Sequence, residues 1–108
     1  MELTKTAMAA FEAYFDDQYP EISTENNGVF NIPYTALFAL YIEFFDSVGI
    51  NIFIEHTQFS HNPRFEGKIN THDDFILLHA HHVRYDAVEE CIIKANEIYD
   101  EKIINSVI

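Results

Sequence analysis

The sequence predicts an α+β fold made of two N-terminal helices, a three-stranded antiparallel β-meander and a C-terminal helix. Apolar residues recur at helical spacing near both ends of the chain, and they alternate with polar residues between positions 50 and 85. Turn signals separate the alternating segments, and strands joined by short turns pair antiparallel. We therefore expect one domain over residues 1–108, with the helices packed on one face of the sheet.

The two N-terminal helices follow from apolar periodicity and from residues that begin or end helices. Residues 2–18 carry one apolar stripe, formed by Leu3, Ala7, Phe11, Tyr14 and Phe15. Pro20 ends this helix. The second helix opens at Pro33, runs to about Val48 and has Gly49 as its C-cap residue. Apolar side chains cover most of its circumference, which predicts that it is the central element of the core.

Period-two alternation predicts the three strands. The first places Ile50, Ile52 and Ile54 on one face. Asn62-Pro63 marks a turn, and the second strand, from Arg64 to Ile69, shows a charged face to water. The third strand spans residues 75–85, with Ile76, Leu78 and Ala80 on one face and Phe75, Leu77, His79, His81, Val83 and Tyr85 on the other.

The last helix is predicted to begin at Asp86, which forms a capping box with Glu89. Its buried stripe consists of Val88, Cys91, Ile92, Ala95, Ile98 and Tyr99. Cys91 is the only cysteine, which excludes an internal disulfide and a Cys-based zinc site. The N-terminus lacks the basic and apolar regions of a signal peptide, and no apolar stretch is long enough to span a bilayer, so we expect a cytoplasmic protein.

Eighteen acidic residues stand against six basic ones, which gives a formal net charge of −12. Such a field repels nucleic-acid phosphates and anionic membranes and attracts basic proteins. We therefore expect a protein partner of basic character and no direct contact with nucleic acid or membrane. The chain has no GxSxG elbow and no Gly-rich phosphate loop, and its adjacent carboxylates point apart, so we predict a protein without enzymatic activity and without cofactors.

Three groups of residues are candidates for binding. His79 and His81 form an HxH pair on one strand face, which can hold two metal positions with His56 or Asp73 as a third ligand. The competing interpretation is an ordinary sheet surface. An outward row of carboxylates could mimic nucleic acid and occupy a basic groove, or could serve solubility alone: Asp16, Asp17, Glu89, Glu90, Glu97, Asp100 and Glu101.

The third candidate is the apolar C-terminus, where Ile103, Ile104, Val107 and Ile108 follow the predicted helix. These side chains dock on the domain's own core or on a second copy, because exposed apolar patches mark interfaces. A homodimer is one outcome. The leading interpretation is a small acidic protein that acts through protein–protein interaction. A nucleic-acid-mimicking inhibitor and a His-based metal-binding domain are the alternatives.

The segment from Phe75 to Glu101 also carries a family resemblance. Its strand ends in His82-Val83-Arg84-Tyr85-Asp86 and runs into the helix that contains Glu89-Glu90-Cys91-Ile92 and Lys94-Ala95-Asn96-Glu97. This resembles the ending of small uncharacterised proteins from phages and prophages of gut bacteria, which also tend to carry an upstream helix and a strand like Ile50–Ile54. The resemblance implies a small intracellular protein encoded by a mobile element or its host, and it implies no activity and no catalytic residue.

Overall fold

The computed structural model describes residues 2–21, 33–59 and 61–107. Within these residues the helices are α1 (Lys5–Gln18), α2 (Tyr34–Ser47) and α3 (Arg84–Val107). The strands are β1 (Asn51–Phe59), β2 (Asn62–Asn70) and β3 (Phe75–His81), and they form one antiparallel sheet in the order β1-β2-β3. The helices pack on one side of this sheet, so the predicted α+β class and element order are confirmed.

The first helix begins where the sequence offers a side chain to cap it. Thr4 is the N-cap residue, and its hydroxyl accepts a hydrogen bond from the Ala7 main-chain N–H at 3.4 Å. Ala7, Phe11 and Phe15 are buried along one face, as the apolar stripe predicts. The structure places the first helical residue at Lys5 and not at residue 2.

The second helix ends at a glycine whose conformation other residues adopt with difficulty. Gly49 has φ of +84°. The Gly49 N–H donates to the Asp46 carbonyl at 3.1 Å, and the Ile50 N–H donates to the Phe45 carbonyl at 2.9 Å. These two bonds constitute a Schellman motif, which confirms the predicted role of Gly49.

Aromatic side chains from α1 and α2 make up the centre of the core. The Phe11 ring lies 4.7 Å from the Tyr41 ring and 5.8 Å from the Phe44 ring, in edge-to-face arrangements that aromatic pairs prefer. The Tyr99 ring of α3 lies 5.6 Å from the Phe44 ring. The α2 helix therefore packs against both α1 and α3, which agrees with the central place predicted for it.

The sheet contains one irregularity, which lies between β2 and β3. Glu66 pairs with Ala80, whereas Lys68 pairs with Leu77, so the single residue Gly67 lies opposite both Leu78 and His79. Two residues facing one residue constitute a β-bulge. Such a bulge bends the strand and shifts its alternation by one residue.

This shift changes the predicted faces of β3. Ile76 and Leu78 pack against the core as expected. Directly opposite residues share a face of the sheet. Ala80 pairs with Glu66 on the face turned away from the helices, and His81 pairs with Phe65 on the face turned toward them. The predictions that Ala80 lies with Ile76 and Leu78, and that His81 lies with Phe75 and Leu77, are therefore wrong.

Three predicted boundaries also differ from the structure. Asn62 and Pro63 are the first residues of β2 and not a turn, and Phe59 pairs with Asn62. The third strand ends at His81, four residues earlier than predicted, because the chain bends at residues 82 and 83. The last helix begins at Arg84, so Asp86 lies inside its first turn and the predicted capping box with Asp86 as N-cap is wrong.

A helix approaches the sheet closely at Gly67. A Cβ atom at this position would overlap the sulfur of Cys91 on α3. Burial raises the pKa of the Cys91 thiol to about 12, so the group stays protonated and behaves as a small apolar side chain. The predicted buried position of Cys91 is confirmed.

A buried polar residue joins the two ends of the chain. Asn96 on α3 accepts a hydrogen bond from the Thr4 N–H at 3.0 Å and donates to the Thr4 hydroxyl and to Asp100, each at 3.0 Å. The Thr4 hydroxyl donates in turn to Asp100 at 3.0 Å. The side-chain oxygen and nitrogen of Asn96 both have partners, so these hydrogen bonds offset the cost of removing the amide from water.

Candidate functional site: the outer face of the sheet

The sheet has one face packed on the helices and one face open to solvent. On the open face, Phe53, Phe75 and Leu77 expose 54%, 61% and 65% of their surface. Isolated exposed apolar residues are common on protein surfaces, but large neighbouring ones are not. We call the surface formed by Phe53, Phe75, Leu77 and the charged residues between them the outer face.

Strand register brings these side chains together. Phe53 on β1, Lys68 on β2 and Leu77 on β3 are successive cross-strand partners and form one row. Phe75 lies two residues from Leu77 on the same face of β3, about 7 Å along the strand. The three apolar side chains therefore surround Lys68, whose aliphatic stem contributes further apolar surface.

The charged side chains of the outer face are paired with one another. Lys68 forms an ion pair with Glu55, and the Arg64 guanidinium lies 3.2 Å from a Glu66 carboxylate oxygen. Two cations and two anions give these strand positions no net charge, although the whole chain carries −12. The outer face is thus an apolar, charge-balanced surface on an otherwise acidic protein.

The sequence predicted much of this surface but not its importance. Phe75 and Leu77 were predicted to share a face opposite Ile76 and Leu78, and that is confirmed. Phe53 lies between Ile52 and Ile54 on a half-buried strand, and this position assigns its side chain to the opposite face. A large aromatic residue at such a position is the signal that could have identified the outer face.

Ile103 and Ile104 lie in the last turns of α3. All residues from 101 to 105 are exposed, and Ile104 exposes 60% of its surface. Ile104 therefore does not dock on the core of its own domain, which was one of the two predicted arrangements. Ile108 lies outside the described residues.

The predicted acidic row is interrupted by local contacts. Glu97 lies 3.3 Å from the Lys94 ammonium, Asp100 accepts hydrogen bonds from Thr4 and Asn96, and Glu90 is held by a histidine. The other members are Glu89, which is half-buried, and three exposed carboxylates, Asp16, Asp17 and Glu101. The structure thus does not present the seven carboxylates as one uninterrupted row.

Glu90 is the centre of a histidine cluster at the bulge. The His79 main-chain N–H donates to one Glu90 oxygen at 2.9 Å, and the His79 Nδ1 atom lies 2.8 Å from the other. His81 Nε2 lies 3.4 Å from Glu90 Oε1, is itself buried and has no hydrogen bond. Partial burial alone would raise the pKa of Glu90, but the contacts with His79 and His81 lower it below its usual value.

The bulge is the reason that this cluster forms. By placing an extra residue in β3, it directs His79 toward α3 while His81 remains on the helix side. A shallow cleft of about 470 Å³ lies beside the pair, lined by His81, Asp86, Glu89, Glu90 and Ile93. The sequence placed His79 and His81 on one face, but it gave no indication that Glu90 would join them.

His56 does not join this cluster. It pairs with Phe65 on β2, which in turn pairs with His81 on β3, so two strand spacings of about 4.8 Å separate the two histidines. The His56 ring stacks on the Phe65 ring at 4.5 Å. In the part of the chain that the structure describes, no three His, Cys, Asp or Glu side chains are arranged to hold a metal ion. A His-based metal site stays a prediction for His79 and His81.

A second polar cluster lies between α1 and α2. The Tyr14 and Tyr19 hydroxyls both donate to Glu43, at 2.7 Å and 2.8 Å. Burial and the hydrogen bond to Glu43 raise the pKa of Tyr14 to about 12, and the hydrogen bond to Glu43 raises the pKa of Tyr19. Both phenols therefore remain protonated donors that fix the carboxylate in place.

None of the helices in the described ranges is long and apolar enough to cross a membrane. Comparison of the chain with protein-family models, curated proteins and solved structures found no match in any of the three. The resemblance to phage and prophage proteins therefore stays a prediction.

Proposed function

We propose that the protein acts by binding another protein chain through its outer face, and not by catalysis. The observation that carries the proposal is the group of Phe53, Phe75 and Leu77, each more than half exposed and adjacent in the sheet. These side chains lie on the far side of the sheet from the core. The described residues leave them more than half exposed, and contiguous apolar surface of this kind marks interaction sites.

The distribution of polar residues on the outer face supports the same interpretation. A typical interface has an apolar centre and a polar rim with few unpaired charges. Here Lys68 lies between the apolar side chains with its ammonium paired to Glu55, and Arg64 and Glu66 lie along the same strand toward the rim. Arginine and aromatic residues are also enriched at protein interfaces.

Photo-cross-linking tests this proposal. A photoreactive phenylalanine analogue is placed at Leu77 on the outer face, and in a matched control at Ala39, which is exposed on α2. In cells that produce the protein, we expect discrete protein adducts from position 77, lost when Phe53→Ser is added, and none from position 39. Uncross-linked protein alone at position 77, or equal adducts at both positions, would contradict the proposal.

The charge favours a second candidate function, an acidic inhibitor that occupies a basic nucleic-acid groove. The chain has three times as many acidic as basic residues, and Arg64, Lys68 and Lys94 are each paired with a glutamate. The test is capture of nucleic-acid-binding proteins that elute at moderate salt and that the Asp16→Asn/Asp17→Asn variant no longer captures. Capture that is insensitive to salt would argue against it, because exposed charges are screened.

A further inference from the structure

We propose that the occupant of the outer face is a second copy of this chain, packed sheet against sheet about a two-fold axis. This inference rests on the proposed function, because it names the partner of the same surface. An isologous interface uses one patch on both molecules, so the patch must be complementary to itself. The charge of the outer face, its size and the obstructed edge of β3 bear on such a dimer.

The first observation is electrostatic. Two copies that each carry −12 repel one another, so they can approach only through surfaces that lack net negative charge. The outer face meets this condition, because Lys68 and Arg64 balance Glu55 and Glu66. Charges alternate in sign along β2, from Arg64 to Glu66 to Lys68, so cations of one copy can meet carboxylates of the other. Repulsion between the remaining surfaces is screened over about 8 Å at physiological salt.

The second observation is the size of the patch. Strands of nine, nine and seven residues, about 3.3 Å per residue and 4.8 Å apart, form a face of roughly 400 Å². Two such faces bury on the order of 800 Å² in projection, which is below the 1,200–2,000 Å² of stable complexes. The dimer is therefore expected to be weak and reversible.

The third observation distinguishes face-to-face packing from strand addition at the edge of β3. An open edge strand invites another chain to pair with its main-chain groups. Here the bulge interrupts β3, and Glu90 already holds the His79 main-chain N–H at 2.9 Å. A charged group on the edge and a bulge both oppose edge pairing. The outer face has no comparable obstruction.

Sedimentation equilibrium of the purified protein from about 5 µM to about 500 µM, a range that brackets weak association, tests the inference. The wild-type mass is expected to rise from the 12.6 kDa of the monomer toward about 25 kDa, twice that value. Leu77→Lys should remain monomeric throughout, because a cation on each copy opposes burial of the face. Ile104→Lys is the matched control, since Ile104 is an aliphatic residue exposed to a similar degree (60% against 65%) and lies far from the outer face in sequence. It should associate like the wild type.

Circular dichroism verifies that each variant is folded, and Phe53→Lys provides an independent second variant on β1. A wild-type mass that stays at 12.6 kDa over the whole range would overturn the inference. So would a dimer that survives both Leu77→Lys and Phe53→Lys, or one that only Ile104→Lys abolishes. If the protein is a monomer in solution and position 77 cross-links to a different protein in cells, the dimer is refuted and the proposed function stands. If position 77 gives no adduct in cells, the dimer and the proposed function are both refuted.

Discussion

The close approach of β2 and α3 at Gly67 gives a prediction whose size follows from the structure. A methyl group added by Gly67→Ala would overlap the Cys91 sulfur. Overpacking of a well-filled core costs about 1–3 kcal/mol of the free energy of unfolding. Replacing glycine by alanine offsets about 0.5–1 kcal/mol of this cost, because alanine lowers the conformational entropy of the unfolded chain. We expect a net loss in the free energy of unfolding of about 1–2 kcal/mol.

Cys91→Ala should relieve this overlap. On its own the substitution removes a buried sulfur and is expected to cost about 1–2 kcal/mol. In the double variant the new methyl group fills part of the space that the sulfur leaves. The double variant should therefore be more stable than the sum of the two single losses predicts, by about 1–2 kcal/mol.

Urea unfolding followed by circular dichroism at low micromolar concentration measures all four proteins. Gly49→Ala is the matched control, since nothing lies within 4 Å of its Cβ position and its cost comes from φ of +84°. Cys91→Ala should not relieve that cost, and the two changes should add. Additive losses for Gly67→Ala and Cys91→Ala, within about 0.5 kcal/mol, would refute the proposed overlap.

Three further predictions concern single groups. Asn96→Ala should lower the free energy of unfolding by about 2–3 kcal/mol, because it removes the partner of the Thr4 N–H and two further hydrogen bonds, to the Thr4 hydroxyl and to Asp100. The exposed Asn105→Ala should change it by less than about 0.5 kcal/mol, and equal losses would contradict this. The pKa of Glu90 is lower in the folded state than in the unfolded state, so its ionised carboxylate stabilises the fold. This stabilisation is fully present above the pKa of the unfolded state, and it is lost as the pH falls through the pKa of the folded state. In urea titrations, the difference in the free energy of unfolding between wild type and Glu90→Gln should therefore become smaller as the pH is lowered. If that difference does not change with pH below about 5, the contact between Glu90 and His79 is not electrostatic. Cys91, with its pKa raised to about 12, should react with Ellman's reagent at pH 8 only on unfolding, and rapid reaction of the native protein would show that the thiol is accessible.

The sequence was a sufficient guide wherever a local signal decides the structure. The apolar stripe of α1, the Schellman ending at Gly49 and the alternation of Ile50, Ile52 and Ile54 each depend on residues a few positions apart. The helix order and the antiparallel sheet followed from these signals. The outer face follows from the same alternation once Phe53 is included.

Features that depend on distant residues escaped prediction. The bulge arises where Gly67 meets Cys91, and no pattern within β3 indicates it. This bulge moved Ala80 to the other face and brought His79 to Glu90. The early start of α3 at Arg84 has a local cause instead: β3 ends at His81, and the Val83 carbonyl already accepts a hydrogen bond from the Ala87 N–H.

The link between Thr4 and Asn96 has a consequence for how the chain is assembled. The two residues are 92 positions apart, so the contact that anchors the N-cap of α1 to α3 forms only when the chain up to Asn96 is available. Long sequence separation delays such contacts during folding, because the loop must close before the contact stabilises anything. The α1 helix precedes α2, the sheet and α3 in the chain, and we expect it to be the last of these elements to reach its final position. An early aromatic surface of Phe11 and Phe15 therefore stays exposed while the sheet and α3 form, and proteins that protect nascent chains would meet that surface first.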